Sequence, residues 1–165
     1  LVMRSRSRAE RNARWQPFTL MIERADDVAD ALEEAIFLLS LIAEDHHKGW
    51  HGDVRDALRQ LANRTHEAVR DHVRALSIAS VLREGGSAED HEAFLAVTWR
   101  AVDAERQCDE LLREVRRALV RQVNDAVSLN LATDFASSIE QATDALLATS
   151  FGVRALAIDS IGARP

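Results

Sequence analysis

Turn-forming residues are scarce in this chain. Two prolines and six glycines in 165 residues leave few places for the backbone to reverse. Long helices are the expected outcome, and no stretch has the two-residue alternation of a strand. A single cysteine, Cys108, excludes an intrachain disulfide and fits a reducing compartment. No apolar run approaches the ~20 residues of a membrane span, and Leu1 to Arg14 lacks the apolar centre of a secretory signal. The formal net charge of −6 argues against a general nucleic-acid binder. The expectation from this composition is a cytoplasmic, all-helical protein of a size that buries one large core.

Within that frame the stretch Pro17 to Leu41, "PFTLMIERADDVADALEEAIFLLSL", carries the clearest helical pattern. Phe18, Ile22, Ala25, Ala29, Leu32, Ile36 and Leu39 follow the spacing of one face. Pro17 marks the start, with Thr19 as the expected cap. Glu23, Asp27, Asp30 and Glu34 form a second stripe, roughly opposite the first at 100° per residue. Arg24 is the one cation between Phe18 and Asp45, against eight carboxylates. Like charges one turn apart cost about 0.2–0.5 kcal/mol a pair, so the stripe is either tolerated by solvent or offset by a bound cation. Ahead of it, residues 1–14 form a basic segment, with Arg4, Arg6, Arg8, Arg11 and Arg14 against Glu10. This segment reads as the polar end of a helix or a loose tail, with attraction to anionic lipid or an acidic partner as the functional alternative. Residues 15–165 read as one helical-bundle domain.

The loop "EDHHKGWHGD" follows, and Glu44 with His47 has the E-x-x-H spacing of ferritin-like di-metal sites. Such sites need two of these pairs and two further glutamates. No second pair is present, so exposed histidines are the expected reading. A second helix is expected over Asp53 to Leu82, buried along Val54, Leu58, Leu61, Thr65, Ala68, Val69, Val73 and Leu76. His66 and His72 are read as packing or solvent residues. Gly85 and Gly86 stop this helix, and Ser87 with Asp90 caps the next, which makes the two antiparallel neighbours. The third helix, Ala88 to Val123, turns Phe94, Val97, Ala101, Ala104, Cys108, Leu111, Leu112, Val115 and Leu119 inward. Cys108 is therefore expected to be a buried, inert thiol, while spacing leaves open whether Trp50 and Trp99 pack or face a partner. A break within "NDAVSLNLATD" precedes the last helix, lined by Phe135, Ile139, Ala142, Leu146, Val153 and Leu156. The expected fold is an all-α antiparallel bundle of four long helices.

E-x-x-x-D appears on the first, third and fourth of these helices as "ERADD", "ERQCD" and "EQATD". The surrounding segments "PFTLMIERADDVADALEEA", "AVDAERQCDELLREVRRAL" and "FASSIEQATDALLATSFGVRAL" resemble, in that order, the PhoU-like proteins that accompany Pit-type inorganic phosphate transporters. The resemblance covers most of Pro17 to Asp159. It implies a bundle of three-helix units, the first of them reduced here, with E-x-x-x-D carboxylates that bind iron or zinc on the outside. Carried over residue by residue, the candidate metal ligands are Glu105, Asp109, Glu140 and Asp144, with Glu23 and Asp27 on the first helix; the acidic stripe adds Asp30 beside them. Leu147 and Ala148 stand where the family commonly continues its last motif with acids, which implies a weaker site. The resemblance also implies a non-enzymatic regulator of phosphate transport. Its partner is then a Pit-type transporter or an associated sensor, with peripheral membrane contact through that partner. Phosphate itself enters only through the resemblance. No Gly-rich cradle and no nucleophile paired with a base points to catalysis. The alternatives are a metal-storing or metal-sensing bundle unrelated to phosphate, and a scaffold or dimerisation module; a homodimer is compatible with each reading.

Overall fold

The computed structural model describes residues 2–42, 50 and 52–162, with side chains at residues 19, 21–42, 50, 52–82 and 85–155. The histidine-rich loop, with its Glu44/His47 spacing, lies outside the described residues. The described residues form four long helices: α1 (Val2–Leu41), α2 (Gly52–Glu84), α3 (Ala88–Gln122) and α4 (Ala126–Gly162). Among the described residues there is no strand, and no helix is long and apolar enough to cross a membrane.

The breaks between α2, α3 and α4 have local causes. Gly85 adopts φ 113°, a left-handed conformation that ends α2 without the steric cost of a Cβ. A side chain on Gly86 would come within 2.9 Å of Leu82, so the turn closes tightly. Ser87 and Asp90 then form the expected capping box: the Asp90 N–H donates to Ser87 Oγ at 3.1 Å, and the Ser87 N–H donates to Asp90 Oδ2 at 2.7 Å. At the start of α4, Asp125 accepts from the Ser128 N–H at 2.7 Å, satisfying one of the free amides of the first turn.

α2, α3 and α4 pack against one another, and α1 packs chiefly on α4. α4 is thus the helix that all the others touch. Its inward positions are small (Ala132, Ala136, Ala142, Thr143, Ser150) with larger Ile139, Leu146 and Val153 between them, so several helices can approach it closely. At the centre of the three-helix unit, Thr65 Oγ1 of α2 lies 3.0 Å from Thr143 Oγ1 of α4 and 3.6 Å from Cys108 Sγ of α3. Cys108 is fully buried, as its spacing predicts. This polar junction satisfies its own members in the core and favours one register of the three helices.

The structure corrects the first helix in three respects. α1 starts at Val2 and runs through Pro17, although proline removes one backbone hydrogen bond and costs about 3 kcal/mol inside a helix. Thr19 is therefore a mid-helix residue and not a cap. The basic segment belongs to the opening turns of the same helix. Most importantly, the expected apolar face is turned outward: Ile22, Ala25, Ala29, Ile36 and Leu39 are exposed, and Leu32 sits half-buried at the border. The packed face is Val28, Ala31, Ala35, Leu38 and Ile42, with Met21 at its upper end. Two apolar arcs lie side by side on α1, and the arc containing the small Ala31 and Ala35 fits the small-residue surface of α4. A milder correction applies to α2, where Val73 and Leu76 are exposed while His72 and Ala75 are buried. Phe18 and Leu156 lie outside the residues with described side chains.

Candidate functional site

α3 and α4 bring their E-x-x-x-D pairs together. In each motif the two acids are one turn apart, so they share a helix face. Glu140 is half-buried, and its carboxyl is pushed up to about 7. Burial is the main cause, followed by repulsion from Asp144 and from Asp109 across the helix pair; Arg116 opposes the shift, and Glu105 adds to it. Asp144 is also raised, by partial burial and then by Asp109. The four carboxylates of Glu105, Asp109, Glu140 and Asp144 therefore form one electrostatic cluster on the outside of the bundle.

The cluster extends onto α1. Met21 lies beside Gly152, and Ala35 clusters with Ala136 and Ile139, so α1 runs antiparallel to α4. Between these points an open groove of about 550 Å³ is lined by Asp27, Asp30 and Glu34 of α1 and by Gln141, Asp144 and Ala148 of α4. Asp144 therefore belongs both to the groove and to the α3–α4 cluster. Of the three α1 acids named as candidates, Asp27 and Asp30 line this groove and Glu23 does not. Glu34 does, although only its place in the acidic stripe hinted at it. The stripe flanks the packed face of α1 rather than lying opposite it, because the helix is turned relative to the expectation.

Arginines temper this charge. Arg24 donates to Asp27 at 2.9 Å, Arg113 donates to Asp109, and Arg116 reaches Ser137 Oγ at 3.2 Å beside the cluster. Among the described residues, no three His, Cys, Asp or Glu side chains converge as a set able to hold a metal ion. All the donors are carboxylate oxygens, which suit a hard or borderline cation. As placed, however, they present a diffuse negative surface rather than a coordination shell, and Asp109 is engaged by Arg113. The arrangement attracts cationic groups and repels anions; it holds no nucleophile poised against a base.

Two further residues singled out in the sequence have definite surroundings. His72 is buried, with Nδ1 3.1 Å from Ser150 Oγ, and burial lowers its pKa. It is a packing residue joining α2 to α4. Trp99 is 60% exposed on α3, with the guanidinium of Arg154 stacked 5.9 Å from its ring centroid. Trp50 is partly buried against the main core. No known protein family, curated protein or solved structure matches the chain.

Proposed function

We propose that this chain is a non-enzymatic, PhoU-like regulator of inorganic phosphate transport that acts through protein contacts. The observation that carries this reading is the meeting of two E-x-x-x-D pairs on the outer face of an all-α bundle. Four acids held together against their mutual repulsion form a surface that gains from a cationic partner. In this reading the partner is a Pit-type transporter or its sensor, and the surface meets a basic cytoplasmic segment of it. The protein would then be cytoplasmic, at the membrane only through that partner.

The test is capture of a detergent-solubilised Pit-type transporter by the purified chain. The wild type should retain it, and the combined variant Glu105→Gln, Asp109→Asn, Glu140→Gln, Asp144→Asn should not. Failure of the wild type to bind any such transporter removes the phosphate reading.

A second reading keeps the same face but makes it a site for iron or zinc in a bundle unrelated to phosphate. Its support is the all-oxygen donor set, and it requires the side chains to reorient around the ion. Binding would then offset the repulsion and raise the melting temperature by mass action. A rise with iron(II) or zinc in the wild type that Asp109→Asn with Asp144→Asn abolishes, without transporter capture, would favour it.

A further inference from the structure

The outer face shared by α3 and α4 is apolar along one stretch and acidic along the next. On α3, Leu95, Trp99, Val102, Glu105 and Asp109 recur at steps of four, three, three and four residues, so they lie on one side of the helix. On α4, Glu140, Asp144, Leu147, Phe151 and Arg154 recur at steps of four, three, four and three. The two helices run antiparallel: Arg116 meets Ser137 toward one end, and Arg154 stacks on Trp99 toward the other. Val153 packs with Phe94 and Val97, which brings Phe151 to about the level of Trp99.

Trp99 is 60% exposed, Phe151 51% and Leu95 42%. Val102 and Leu147, between them and the acids, are half-buried. Scattered apolar residues on a surface need no explanation, but two aromatic rings and a leucine gathered on adjoining helices mark a contact surface. Tryptophan is among the side chains that most often anchor such contacts. The guanidinium of Arg154 holds the indole in place, so little of its freedom remains to be lost on binding.

Charge identifies the occupant. Glu105 is six residues beyond Trp99, and Asp144 is seven before Phe151, about 10 Å along either helix. An anionic lipid surface spread over the rings would be repelled by these acids, and a cation alone would leave the rings uncovered. A segment that is apolar at one end and carries Arg or Lys about two helical turns away satisfies both stretches. A helix laid along the face repeats its own side chains at the same steps of three and four.

We propose that this face docks a basic amphipathic helix of a partner protein, with bulky apolar side chains on Leu95, Trp99 and Phe151 and cationic ones on the four carboxylates. The proposal rests on the reading of the acidic face as a contact for a cationic partner, and adds what that partner carries besides charge.

Fluorescence anisotropy of labelled, alanine-based helical peptides with the full chain tests it. Each probe carries Leu on two successive turns and Arg on the next two, in either order along the peptide; matched probes replace Leu by Ala. The wild type should bind a Leu/Arg probe about tenfold more tightly than its Ala/Arg match. Trp99→Ala with Phe151→Ala should erase that difference and leave the Ala/Arg affinity unchanged, with circular dichroism as the folding control. Glu105→Gln, Asp109→Asn, Glu140→Gln and Asp144→Asn together should weaken both probes. Equal affinity of the wild type for matched probes, including no binding of either, overturns the proposal. So does a preference for Leu that survives loss of both rings, or tight binding that survives loss of the acids. Self-association, or binding to phosphatidylcholine vesicles, that the Trp99→Ala, Phe151→Ala pair removes would make a second copy or lipid the occupant and equally overturn it. Transporter capture judges the phosphate reading separately: capture that this pair of substitutions leaves intact keeps that reading and overturns the docked helix, whereas the expected peptide results without capture do the reverse.

Discussion

The four helices are similar in length, yet they are held in two different ways. α2, α3 and α4 each bury a continuous stripe against two neighbours or more. Their centre is fixed by Leu61, Val115 and Leu119, none of which reaches solvent, and by the Thr65–Thr143–Cys108 junction. α1 rests chiefly on α4 and leaves a second apolar face and an acidic flank open. The same composition of Ala, Leu, Val and acids thus serves stability in one region and presentation in the other. What separates them is the number of neighbours, not the quality of the helical pattern.

Substitutions should divide along this line. Leu61→Ala removes a fully buried side chain and should cost about 2–5 kcal/mol in denaturant melts. Ile36→Ala, on the open face of α1, should stay within about 0.5 kcal/mol. Comparable losses at the two positions would erase the distinction.

A smaller effect belongs to the outer face. Glu140 has a folded-state pKa raised from 4.5 to about 7. Its contribution is therefore fully present below pH 4.5 and is lost as pH rises through 7. Glu140→Gln should stabilise the protein above pH 7 by about 1 kcal/mol, a figure reduced for solvent screening of a half-exposed group, and should have little effect near pH 4. His72 runs the other way: its lowered pKa favours the neutral ring in the fold, so its contribution is lost as pH falls below 6.5. Melting curves of Glu140→Gln and wild type at pH 4.5 and 8 check the sign. A stabilisation equal at both values would mean that ionisation of Glu140 is not the cause.

Where the sequence was legible, one stripe was unambiguous. On α3 every residue assigned to the core from Phe94 to Leu119 is buried or partly buried, and the Ser87/Asp90 box starts the helix as expected. The meeting of the acids on α3 and α4 was also readable, because E-x-x-x-D fixes both acids of each motif on one face and the helices are neighbours. α1 was misread because periodicity identifies apolar arcs without saying which one is covered. Ile22, Ala29 and Ile36 match the helical period as well as Val28, Ala35 and Leu38 do, and only the small-residue surface of α4 decides between them. The groove of Asp27, Asp30, Glu34 and Asp144 depends on that rotation and was hidden with it. On α2 the expected stripe left out His72 and ran to Val73 and Leu76 instead. In the fold its ring nitrogen meets Ser150, and burial follows the hydrogen bond.

Amide hydrogen exchange resolved by helix tests most directly the claim that α1 is a presented element on a three-helix core. Amides of α1 should open at lower free energy than those of α2, α3 and α4, because fewer buried contacts hold them. Protection of α1 equal to that of α3 would contradict the account.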